Sequence, residues 1–178
     1  MIEEEINRAK RLYAHYGKAL TNQDGLCALF DMYRKAIHKT QEVMQQLGVV
    51  ETCSVCACER SGSCCFPGVE EWYDHVLLLV NLVLGRQIPE FREVPGGCLF
   101  LGNRGCRLIA RHSFCVNYLC PTLKDLIKTP PMQTLLSVSG DELYCGWELE
   151  GSIRTWLQHQ GNVADLAKVA GMEIAHGH

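Results

Sequence analysis

The chain has 178 residues, 47% hydrophobic and 21% charged, with a formal charge of -3. That hydrophobic share supports a sizeable core and excludes disorder along the whole length. Seventeen basic against twenty acidic side chains, with no basic tail, argue against a nucleic-acid partner, because backbone phosphates reward clustered cations.

In chain order, Ile2, Ile6, Ala9, Tyr13, Tyr16 and Leu20 recur at steps of three and four, which predicts one apolar helix face. Thr21 to Asp24 punctuates it. Leu26, Phe30, Tyr33, Ile37, Met44 and Leu47 repeat the pattern, and Gly48 suits the stop. The two segments are expected to pack antiparallel. From Cys53 to Gly68 the periodicity is lost and a loop is expected. A third helix is expected from about Glu70 to Leu84, burying Trp72, Val76, Leu79, Val80 and Val83. Cys98–Leu101 and Cys106–Ile109 fit two short strands around Gly102-Asn103-Arg104-Gly105, a small β-hairpin. Thr122 and Asp125 suit a brief helix before Pro130-Pro131. Ser139 and Glu142 suit the start of a long helix anchored by Leu143, Trp147, Trp156 and Leu157. Gly161 should end it, with a short last helix after Asn162. Asp141, Glu142, Glu148 and Glu150 are expected to face solvent.

The fold expected is mainly α: a compact helical scaffold over residues 1–178 as one domain, carrying a cysteine-rich irregular insert over 53–121. The longest greasy stretch, Val76 to Leu84, contains Asn81 and is about half a membrane span, so no membrane partner is expected. The acidic start Met1-Ile2-Glu3-Glu4-Glu5 is unlike a signal peptide, and a cytoplasmic location follows as the expectation.

Eleven cysteines are the outlier, and nine lie between Cys53 and Cys120. In a reducing compartment, clustered thiols point to metal or redox chemistry rather than structural disulfides. Cys53-Ser54-Val55-Cys56 places two sulfurs within reach of one ion. Cys58 and the adjacent Cys64 and Cys65 follow; Cys98, Cys106, Cys115 and Cys120 form a second group. Soft sulfur donors favour zinc, copper(I) or an iron–sulfur cluster over hard cations. Cys27 and Cys145 read as ordinary helix packing. His112 lies within the second group and suits a supporting or surface role. No lysine occurs between residues 40 and 123, whereas six arginines do; Arg111, four residues before Cys115, is the best placed to offset thiolate charge.

The stretch Cys53 to Cys65, ending in Gly62-Ser63-Cys64-Cys65, resembles the opening of the cysteine-cluster family of zinc- or iron-chelating proteins. Cys98-Leu99-Phe100-Leu101 with Cys106-Arg107-Leu108-Ile109 resembles that family's cysteine-flanked hairpin. Arg111-His112-Ser113-Phe114-Cys115 resembles its Arg-Pro-x-x-Cys element, with histidine in place of proline. The resemblance covers residues 53 to 121 and implies a bound metal or cluster, without implying a reaction. The expected ligands are Cys53, Cys56, Cys64, Cys65, Cys98, Cys106, Cys115 and Cys120, holding zinc or an iron–sulfur cluster. The expected partners are that metal or cluster and a redox or protein partner. Two alternatives stand beside it: a thiol-disulfide oxidoreductase using Cys53 and Cys56, and a zinc-stabilised interaction module.

Overall fold

Two amphipathic helices form where their spacing predicts them. Helix α1 spans Ile2–Asn22 and buries Ile2, Ile6, Ala9 and Leu20. Helix α2 spans Asp24–Gln46 and buries Leu26, Phe30, Tyr33, Ile37, Thr40 and Met44. Gln23 alone separates them, in extended backbone that breaks the helical ladder. The computed structural model describes the backbone of residues 1–59 and 64–169 and the side chains of 1–56 and 64–161.

Helix α3, Val49–Glu59, occupies the start of the expected loop. Gly48 turns the chain into it with φ +71°, a conformation that costs glycine little. Thr52 Oγ1 and Ser54 Oγ donate back to the carbonyls of Gly48 and Val50 at 2.9 Å each. Their hydroxyls are thus absorbed inside the helix instead of turning the chain. Helix α3 rests on α2 and on strand β2, so tertiary contact rather than periodicity holds it.

A single 3-10 turn covers Val69–Trp72, and helix α4 covers His75–Val83. The helix begins later than Glu70 because Asp74 caps it, accepting from Val76 N at 3.0 Å and Leu77 N at 2.9 Å. Trp72 is therefore left outside the buried stripe and is 43% exposed. Nearly all of α4 is buried, and α1 packs along it.

The hairpin is present but shorter than expected. Strands β1 (Leu101–Gly102) and β2 (Gly105–Cys106) pair antiparallel, Leu101 opposite Cys106 and Gly102 opposite Gly105. Buried Asn81 of α4 competes for the chain beyond them. Its Oδ1 accepts from Ile109 N at 2.9 Å and Ala110 N at 3.0 Å, and its Nδ2 donates to Ala110 O at 2.8 Å. Those backbone groups are satisfied by a side chain, and β2 stops.

Helix α5 spans Ser113–Asn117, and α6 spans Pro121–Leu126. Helix α7 then runs unbroken through Thr129–Val169, 41 residues or about 62 Å. It begins ten residues before Ser139, and Gly161 does not end it. Proline at the first helical positions lacks only amide donors that have no partner there anyway, so Pro130-Pro131 starts the helix instead of preceding it. The cysteine stretch thus folds as helices, turns and a hairpin within a mainly helical protein, and no distinct irregular insert is shown. Among the described residues no helix is long and apolar enough to cross a membrane.

Candidate functional site

The expected metal ligands are spread over several elements. Cys53 and Cys56 lie half-buried on α3, and Cys64 and Cys65 precede the 3-10 turn. Cys98 is buried before β1, and Cys106 is exposed on β2. Cys115 lies on α5, 3.7 Å from Tyr73 Oη, and Cys120 caps α6. The two groups meet through backbone: Cys98 N donates to Cys65 O at 2.8 Å. The side chain of Cys58 lies outside the described residues.

Among the described residues, no group of three or more His, Cys, Asp or Glu is placed to hold a metal ion. Cys27, Cys53, Cys56, Cys64, Cys98, Cys106, Cys115, Cys120 and Cys145 are free thiols. This overturns the zinc or iron–sulfur centre, the metal or cluster partner, and the resemblance to zinc- or iron-chelating proteins that implied them. The two alternatives fall with it, since neither a disulfide-forming pair nor a zinc site is found among the described residues. The physical state of the thiols agrees. Burial and the neighbouring thiols of Cys64, Cys120 and Cys56 push Cys53 up to about 11. Burial pushes Cys98 up to about 12. A raised thiol stays protonated and neutral, and packs as a small apolar group. Cys98 belongs to the main core, with Cys65 and Cys115 packed against it, and Cys53 and Cys120 pack against a smaller core around Val43, Met44 and Leu123. Cys27 is exposed on α2, not buried, while Cys145 packs against the main core.

Arg111 does face thiols: its charge lowers the pKa of Cys53, Cys106 and Cys115, partly countering burial. It also faces Glu142, which the sequence pattern places at the surface. Glu142 is fully buried, and its two carboxylate oxygens have no hydrogen-bond partner within bonding distance. Burial raises its carboxyl above the ordinary value, outweighing Arg111 and Thr40. Beside it, Thr40 Oγ1 donates to Val138 O at 3.1 Å, joining α2 to α7. His112 caps α5, its Nδ1 accepting from Phe114 N at 3.2 Å. Its ring leans on the half-exposed Trp72.

The inner line of α7 reads Leu135, Ser139, Glu142, Gly146, Leu149 and Ile153, all buried. Gly146 lies close against α2: a Cβ there would sit 3.1 Å from the Tyr33 ring, tighter than an ordinary contact. The outer line carries what an inner line usually would. Leu136, Tyr144 and Trp147 are 45%, 62% and 69% exposed. The Tyr144 and Trp147 rings lie 6.4 Å apart. Gly140 and Gly151 share this line, and a Cβ at either would meet open space. A glycine inside a helix costs roughly 1 kcal/mol relative to alanine, and no contact from the described residues offsets it at these two positions. Trp147 and Gly151 also border an open groove of about 570 Å³ between α7 and the start of α2, walled by Leu26, Leu29 and Trp156.

Trp147 was expected to anchor α7 inward; it points out because the Gly146 side of the helix must admit Tyr33. Sequence reasoning also missed Tyr144, Gly140 and Gly151. Their signal is present as an uncharged line at steps of four, four, three, four and four from Leu136 to Thr155. The fold is that of a helical protein with a two-stranded hairpin and an aromatic outer helix face. No family model, curated protein or solved structure matches the chain.

Proposed function

We propose that the protein is an interaction module that docks a partner helix along the outer face of α7. The observation that carries this reading is the exposed, uncharged line centred on Tyr144 and Trp147. Tyrosine and tryptophan dominate binding energy where they cluster at the middle of an interface. The flanking Gly140 and Gly151 let another helix axis come close, which bulkier side chains would prevent. A reducing compartment such as the cytoplasm belongs to this reading, since eleven cysteines elsewhere invite cross-linking.

The test is site-directed photo-cross-linking in cells. Benzoylphenylalanine in place of Tyr144 should give an adduct that is lost when Gly140→Glu is added. The same probe replacing exposed Lys39 of α2 should give none. Equal adduct formation at both positions, or none at 144, would refute the docking role.

A further inference from the structure

We infer that the docked helix is α7 of a second copy of this chain, running antiparallel about a two-fold axis between Cys145 and Gly146. This rests on the docking role of the outer face and names its occupant. The outer line is close to a palindrome. Tyr144 and Trp147 flank the midpoint equally, and Gly140 and Gly151 flank it next. Leu136 and Thr155 follow, and Gln133 and Gln158 close the line; all eight positions are exposed. The steps from Gln133 to Gln158 are three, four, four, three, four, four and three, the same in either direction.

An antiparallel partner about that midpoint sets each Trp147 level with the other copy's Tyr144. It sets each Gly151 level with the other copy's Gly140. A two-fold interface needs such self-complementarity, because one patch must serve as both surfaces. An unrelated partner would not require the line to read alike from both ends. The spacing of eleven residues, as from Gly140 to Gly151, matches three turns of a straight helix, so the line stays on one face.

Net charge opposes pairing weakly, and the line itself does not. Each copy carries a formal charge of -3, so two copies repel at long range. None of the eight side chains is charged at neutral pH, so nothing like-charged meets at the centre. The exposed area of Tyr144, Trp147 and Leu136, with the small residues between, amounts to roughly 1,000 Å² over both copies. That lies just under the range of stable dimers, so association should be weak and reversible.

The experiment is sedimentation equilibrium of the full chain from about 1 to 200 μM, in reducing agent so that intermolecular disulfides do not contribute. The expected result is a reversible monomer–dimer equilibrium. Gly140→Leu with Gly151→Leu should weaken it at least about tenfold while the melting temperature holds or rises, since both sites are open in the monomer. Gln133→Glu with Gln158→Lys should dimerise roughly threefold or more tightly than Gln133→Glu with Gln158→Glu. A parallel pair would respond alike to both. A chain that stays monomeric at 200 μM, a dimer indifferent to the glycine pair, or equal behaviour of the two charge variants would overturn the inference. A monomer that still gives an adduct at position 144 with another protein would sink self-association and leave the docking role standing. The absence of any adduct at 144 would remove both.

Discussion

Replacing Glu142 with glutamine should stabilise the protein at neutral and alkaline pH and leave it unchanged in acid. Glu142 is fully buried, and its carboxylate oxygens lack hydrogen-bond partners at bonding distance. Burial raises its folded pKa; Arg111 and Thr40 act in the opposite direction and do not cancel it. A carboxyl raised on folding binds more protons in the native state than in the unfolded one. Its destabilising effect is therefore absent below the unfolded pKa, near 4.5. It grows as pH rises toward the folded pKa and is constant beyond it. Glutamine has a similar shape and no charge to desolvate. The amide remains a buried polar group in the same unpaired site, so the exchange removes only the added cost of the charge, and Glu142→Gln should recover on the order of 1 kcal/mol at pH 8. For a chain of this size each kcal/mol moves Tm by roughly 2–4 °C. Urea unfolding of both proteins, followed by circular dichroism at pH 4 and pH 8, measures the difference, and titrations common to both cancel. A glutamine variant that is less stable at pH 8 would refute the reasoning. It would show that the carboxylate's attraction to Arg111 outweighs its burial.

Gly140→Ala should stabilise the monomer by roughly 0.5–1 kcal/mol, and Gly146→Ala should fall short of that gain because its Cβ crowds the Tyr33 ring; parallel urea melts at low concentration compare them. Asn81→Ala should cost about 2–4 kcal/mol, since it orphans the backbone groups of Ile109 and Ala110 at once, and amide exchange should rise at those two residues first. Glu5 accepts from His75 N at 2.6 Å and from the ring Nδ1 at 2.7 Å, and these bonds hold its carboxyl below the ordinary value despite burial. A depressed carboxylate stabilises above its unfolded pKa and loses that contribution as pH falls through the folded one. Glu5→Gln should therefore destabilise at pH 7 and cease to matter in strong acid, as measured by the same melts.

Helices α1 and α2 were legible because each buries one clean stripe. The spacing of Ile2, Ile6, Ala9 and Leu20 survives folding as the buried face. The hairpin was legible from Gly102 to Gly105, although its strands are cut short by Asn81, which bonds to Ile109 across 28 residues of chain. The α3 region misled because it has no apolar period; contacts with α2 and β2 hold it, and a sequence does not display those. The cysteine reading failed for a related reason. Spacing along the chain places Cys53 and Cys56 near one another, but it does not say that Cys64, Cys106 and Cys115 reach a common point. Burial keeps Cys53 and Cys98 protonated, and the core absorbs them as it absorbs other small apolar groups.

Helix α7 carries the conflict from which the functional reading grows. Its buried line includes Ser139, Glu142 and Gly146, and its exposed line includes Leu136, Tyr144 and Trp147. Rotating the helix by about 180° would bury the aromatic residues and hydrate the carboxyl. It would also drive Tyr144 and Trp147 toward the space that Tyr33 fills against Gly146. The observed orientation is fixed where Tyr33 meets Gly146 and Thr40 bonds to Val138 O. That explains how the inner line tolerates polar residues. It does not explain why the outer line keeps two aromatic rings and two unneeded glycines in water. Local features that oppose the fold persist in natural chains chiefly where function requires them. Burial of the outer line against another helix removes the conflict from both sides at once: the rings leave water, and the glycines gain the close approach that justifies them.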